Sequence, residues 1–145
     1  MRPVEASVII RTLNEARYLP QLLEAINAQR SEFRSEVIVV DSGSTDGTLE
    51  IAHAYGCRIV RIAKEEFSFG RSLNLGCRAA SGEYLVIISG HCVPCHGSWL
   101  QRLVAPLAEG AVSYTYGRQL GGPETHWSEY RIFAKYFPEQ SAIPQ

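Results

Sequence analysis

Short apolar runs that do not alternate with polar residues place the strongest limit on this 145-residue chain. Residues 6–10 (ASVII), 37–40 (VIVV) and 84–88 (YLVII) are nearly unbroken and rich in β-branched side chains. A strand of that kind suits water on neither face, so it belongs in a parallel sheet covered on both sides. Residues 84–88 read as its central strand. Helical patterns lie between the runs: Leu19, Leu22, Leu23 and Ile26 recur at helical spacing, with Pro20 tolerated in the first turn. A second helix runs through Leu49, Ile51, Ala52 and Tyr55 and stops at Gly56, before a strand over residues 58–62. Residues 70–80 predict a helix with Leu73, Cys77 and Ala80 on one face, and Trp99, Leu100, Leu103, Val104 and Leu107 predict another. A strand over residues 111–116 and a helix over about 126–137 complete the expectation. The fold class is therefore α/β, a mainly parallel sheet with helices on both faces, because parallel neighbours need crossover connections.

A hydrophobic share of 46% supports one core, hence one domain. With 14 Lys and Arg against 15 Asp and Glu, the balance calls for neither nucleic acid nor an anionic membrane as partner. The apolar runs fall well short of the roughly 20 residues that cross a bilayer, so no membrane span is expected. Glu5, Arg11 and Asn14 speak against a signal peptide in residues 1–15. Cys57, Cys77, Cys92 and Cys95 are irregularly spaced and suggest no disulfide framework. A cytoplasmic setting, peripheral to the inner face of the membrane at most, follows as an expectation.

Ligands of such sheets bind outside the carboxyl ends of the strands. Three polar segments, residues 11–15, 41–47 and 89–91, each follow a strand directly and gather on that rim. A carboxylate ending an apolar strand, as Asp41 does, is poorly explained by capping a helix several residues later and points to ligand binding. Ser44, Thr45, Asp46 and Gly47 read equally well as a turn capping the next helix. Arg71 and Asn74, three apart near a helix N-terminus, share a face suited to phosphate, or are solvated surface.

SVIIRTLNE (7–15), EVIVVDSGSTDGT (36–48) and ASGEYLVII (80–88), in that order, resemble three successive signatures of family 2 glycosyltransferases. The likeness covers roughly residues 6–107. It implies a GT-A, Rossmann-like fold, of which residues 1–118 are the nucleotide-sugar-binding domain and residues 119–145 the incomplete start of an acceptor-side segment. The activity it implies is inverting transfer of a sugar from a nucleotide diphosphate to a glycan, lipid or protein hydroxyl, as in building cell-envelope polysaccharide. Donor-binding residues carried over are Arg11, Thr12, Asn14, Glu15, Asp41, Ser42, Arg71, Asn74, Ser89, Gly90 and His91. Arg11 stands where the family usually has Pro, Leu13 where an aromatic is frequent, and Ser42 where a second acid is common.

The family's Asp-x-Asp motif, which holds Mg²⁺ or Mn²⁺ across the donor phosphates, is replaced by Ser89-Gly90-His91. His91 is thus a candidate metal ligand, or a cation that itself meets phosphate, or the mark of a donor-binding module that has lost catalysis. Cys92-x-x-Cys95-His96 matches the haem-attachment pattern, yet Met1 is the sole methionine and export signals are missing, so no haem is expected. A zinc or redox role for those three residues finds no second ligand pair and no early-strand context. Glu124 and Glu129 are the acids of the last segment, and neither is assigned as general base. Trp127, Tyr130, Phe133, Tyr136 and Phe137 read as apolar surface awaiting cover, with stacking on sugar as the rival reading.

Overall fold

A computed structural model describes residues 3–123, 125–137 and 139. The elements follow as β1 (Ala6–Thr12), α1 (Leu19–Asn27), β2 (Ser35–Asp41), α2 (Thr48–Ala54), β3 (Arg58–Arg61), α3 (Phe69–Ala79), β4 (Tyr84–Ser89), α4 (Trp99–Ala108) and α5 (Trp127–Tyr136), with a short 3₁₀ turn at Lys64–Glu66. The sheet order is β3-β2-β1-β4, and every pairing is parallel. Register aligns Thr12 with Asp41, Arg11 with Ser89 and Asp41 with Arg61. The carboxyl ends of all the strands therefore lie level, which is what puts three loops on one rim.

Alternate residues of β1 point to opposite layers, as strand geometry requires. Val8 and Ile10 pack with Val39, Val86, the α1 residues Leu19, Leu22, Leu23 and Ile26, Ala52 of α2, and Leu100 and Val104 of α4. Ile9 joins Ile38, Val40 and Ile62 under α3, where Leu75, Cys77, Ala79 and Ala80 pack. The face of α3 that reaches the sheet is centred on the buried Ser72 and Gly76 rather than on Leu73. A Cβ at Gly76 would stand 2.5 Å from Ile9 Cγ2 and 3.0 Å from that of Val40, so only a bare helix backbone fits there. Apolar periodicity could not show that, since the closest contact is made by the residue without a side chain.

Two further expectations are corrected. β4 is the edge of the sheet, not its centre, and Leu85 and Ile87 are 44% and 52% exposed. Its other face, through Tyr84, Val86 and Ile88, packs into the α1–α4 layer, while α3 lies over β2 and β1. Residues 111–116 form no strand. Their β-branched and aromatic content suits a pleated surface only where a partner strand exists, and here the Thr115 hydroxyl instead donates to the Leu103 carbonyl of α4 at 2.8 Å. Among the described residues no helix is long and apolar enough to cross a membrane, and α5 contributes no buried residue.

Candidate active site

The loops after β1 and β2 are sewn together by their own polar groups. Asn14 adopts a left-handed φ of 55°, donates its backbone N–H to Ser44 Oγ at 2.9 Å and accepts from the Thr45 N–H through Oδ1 at 2.9 Å. The Glu15 N–H donates to Thr48 Oγ1 at 2.9 Å, and that of Ala16 to Asp46 Oδ2 at 3.0 Å. Ser42 donates its N–H and its hydroxyl to the Thr12 carbonyl at 3.2 and 3.1 Å. Asp46 also accepts the Thr48 N–H at 3.1 Å. The Thr48 hydroxyl bond, with these N–H donors, holds its carboxyl below the ordinary range.

Asp41 is 2% exposed and committed to this loop. Its carboxylate accepts from the N–H groups of Gly43 and Ser44, both at 3.0 Å, from the Ser44 hydroxyl, and from Thr12 Oγ1 at 3.3 Å. A carboxylate offers about four lone-pair sites. Neither helix capping nor an open base acceptor describes this arrangement; Asp41 folds the turn, and Ser42, 2% exposed, is buried within it.

The loop after β4 reaches the same rim. The Gly90 N–H donates to the Arg11 carbonyl at 3.2 Å. A Cβ on Gly90 would lie 3.0 Å from Glu15 Cγ, 3.1 Å from Thr12 Cγ2 and 3.2 Å from the Arg11 oxygen, so the approach depends on glycine. His91 Nδ1 then pairs with Glu15 Oε1 at 2.9 Å, the imidazole side chain 58% and the carboxylate side chain 18% exposed. Asn14, Glu15, Ser42, Asp41, Gly90 and His91 are thus brought together. Arg11 is added by a contact that pattern reading missed, its guanidinium 4.2 Å above the exposed Phe69 ring at the start of α3.

Arg71 and Asn74 sit apart from these contacts. With Glu66, Gly70, Leu75 and Arg78 they line a shallow depression of about 630 Å³ on the flank of α3. Ser68 caps that helix by accepting the Arg71 N–H at 3.1 Å, and the Arg71 guanidinium donates to the Glu66 carbonyl at 3.3 Å. Downstream, His96 and Gly97 serve as backbone acceptors for Gln29 Nε2 at 2.9 Å and the Arg30 N–H at 2.6 Å. Among the described residues no three His, Cys, Asp or Glu side chains assemble as a metal-ligand set, Cys92, Cys95 and His96 included. Burial, and then the nearby Glu15 charge, push the Cys92 thiol up. Glu124 lies outside the described residues, and Glu129 accepts the His126 N–H at 3.0 Å as part of the α5 cap.

A parallel sheet with helices on both faces and a polar rim at its carboxyl edge defines an α/β domain of GT-A type. The chain belongs to glycosyl transferase family 2, whose sequence profile matches residues 7–143. Glycosyltransferase AglE of Haloferax volcanii is 37% identical over 122 residues, which are 76% of this chain and 40% of that protein. The poly(ribitol-phosphate) β-N-acetylglucosaminyltransferase TarS of Staphylococcus aureus is 32% identical over 89 residues, 57% of this chain and 15% of TarS. Among solved structures, glucosyl-3-phosphoglycerate synthase from Mycobacterium tuberculosis in complex with Mn²⁺, UDP and glucosyl-3-phosphoglycerate superposes with a TM-score of 0.60 at 31% identity, covering 71% of this chain and 39% of that one. The chain spans at most about two fifths of the length of these relatives.

Proposed function

We propose that this chain is the donor-binding portion of an inverting glycosyltransferase that takes a sugar from a nucleoside diphosphate, uridine diphosphate first among the choices. The observation that carries the reading is the joining of three strand-end loops into one rim by Asn14–Ser44, Glu15–Thr48 and Glu15–His91 contacts. The solved relative that holds UDP supports the choice of base. On this reading residues 11–15 and 41–44 border the nucleoside, with the backbone offering hydrogen bonds in a turn held by Asp41, and residues 89–91 face the diphosphate. Residues 1–118 form that donor domain and residues 119–145 open the acceptor side, where the uncovered Trp127, Tyr130, Ile132 and Tyr136 of α5 supply apolar surface.

In the proposed reaction an acceptor hydroxyl attacks the anomeric carbon from the face opposite the diphosphate. The carbon–oxygen bond to phosphate breaks with its electron pair passing to the diphosphate, and the hydroxyl proton passes to a general base. Neither Glu129 nor any rim residue is assigned that base. Titration calorimetry with UDP, GDP and TDP tests the reading. UDP is expected to bind, and Thr45→Trp, which crowds the rim from an exposed position of the same loop, to abolish the heat; equal heats for all ligands in both proteins would refute it.

A further inference from the structure

We propose that His91, held in place by Glu15, meets the donor diphosphate where a divalent cation would otherwise stand, so that donor binding by this chain is independent of metal. The proposal rests on the donor-site reading above. Its starting point is a misfit of chemistry. Mg²⁺ and Mn²⁺ are held by oxygen, usually with at least one carboxylate free to bind them. The positions that would supply carboxylates carry the Ser89 hydroxyl and the His91 imidazole. Glu15, the carboxylate that reaches this place, holds His91 Nδ1 at 2.9 Å, and among the described residues no third His, Cys, Asp or Glu joins the two as a ligand set.

The same geometry suits an anion. A carboxylate accepts, so Nδ1 carries a hydrogen and Nε2 is the nitrogen left for a ligand. The anchor is largely covered while the ring stands out from the rim, with side-chain exposures of 18% and 58%. Held on Glu15 through Nδ1, the ring turns Nε2 toward the ligand and bridges the carboxylate and a phosphate oxygen through hydrogen bonds to charged partners. Glycine at position 90 lets Glu15 approach this closely. Arg11, level with Ser89 in the sheet register and stacked on Phe69 at 4.2 Å, brings a cation to the same rim. Arg11 and the Glu15-braced His91 then meet the diphosphate where a metal would otherwise stand. Glu15 is a positioning residue in this arrangement, and His91 the group that touches phosphate.

Equilibrium binding of UDP to the full chain, in EDTA and in excess Mn²⁺, tests this with His91→Ala, His91→Lys, Glu15→Gln and the double variant Ser89→Asp/His91→Asp. Wild-type affinity is expected to differ less than about twofold between the two conditions. His91→Ala is expected to weaken UDP about tenfold in both, and His91→Lys to restore most of that loss, because a charge is what the site lacks. Uridine, which has no phosphate, is expected to bind wild type and His91→Ala alike. Glu15→Gln, which keeps an acceptor but not the charge, is expected to fall between wild type and His91→Ala. The double variant is expected to bind UDP well only with Mn²⁺. Loss of wild-type binding in EDTA overturns the proposal and leaves the donor reading standing, as does unchanged affinity in His91→Ala. Failure of wild type to bind UDP in either condition overturns the donor reading itself.

Discussion

The two sides of the rim are built on different terms. Where β1 and β2 end, the loops satisfy one another: Asn14, Ser42, Ser44, Asp46 and Thr48 exchange bonds across the gap, and Asp41 is consumed in shaping the turn. Where β4 ends, the crossing contacts are the Gly90 N–H to Arg11 and the exposed His91 to Glu15, on a strand whose outer face shows Leu85 and Ile87. On the first side the buried members, Thr12, Asp41, Ser42 and Thr48, cannot change without stranding a polar partner. The second depends on one glycine and otherwise carries its chemistry on a side chain that the fold does not need. That difference leaves residues 89–91 able to carry other side chains at positions 89 and 91 without cost to the sheet or to the β1–β2 side of the rim.

The sharpest way to break the comparison is Asp41→Ala. The change removes the acceptor shared by the Gly43 and Ser44 N–H groups and the Ser44 hydroxyl, itself 2% exposed, and leaves the Thr12 hydroxyl with the Val40 carbonyl at 3.5 Å. It is expected to cost about 3 kcal/mol of stability, read from urea unfolding, and to remove UDP binding with it. A loss under about 1 kcal/mol would mean that the turn holds without its carboxylate.

Much of this was legible beforehand, and the failures have physical causes. The runs at residues 6–10 and 37–40 became buried strands because continuous apolar sequence has no other use in a short strand, and Leu19, Leu22, Leu23 and Ile26 all entered the core. Residues 84–88 carry the same signal yet lie at an edge, since strand order is a property of the whole sheet and not of one segment. Asp41 was rightly marked as unusual, but the four donors that consume it come from backbone and hydroxyl groups whose direction no spacing rule reports. The Arg11–Phe69 stack joins residues from different elements and leaves no periodic trace. The convergence of residues 11–15, 41–47 and 89–91 was readable because it follows from topology alone.

Gly90→Ala probes the weaker side through its one structural demand. The new Cβ would press on Glu15 Cγ at 3.0 Å and Thr12 Cγ2 at 3.1 Å, both side-chain atoms able to yield, and on the less forgiving Arg11 carbonyl at 3.2 Å. A cost of about 1 kcal/mol is expected, with a larger proportional loss in UDP affinity because Glu15 and His91 are parted. Equal losses in stability and affinity would show that the substitution disturbs the sheet end as a whole rather than the pair.

Ile87→Lys sharpens the contrast from the other direction. Ile87 faces the same layer as Ile9, its register partner on β1, yet is 52% exposed where Ile9 is fully buried. A lysine there can keep its stem along the sheet and its ammonium in water, so stability by thermal or urea unfolding is expected to move by less than about 0.5 kcal/mol. Ile9→Lys, by contrast, buries a charge under α3 and is expected to prevent folding. The same chemical change on neighbouring strands thus measures where the covered part of the sheet stops. If Ile87→Lys proved as damaging as Ile9→Lys, the outer face of β4 would be covered in solution, and the weaker side of the rim would be better supported than its exposed side chains indicate.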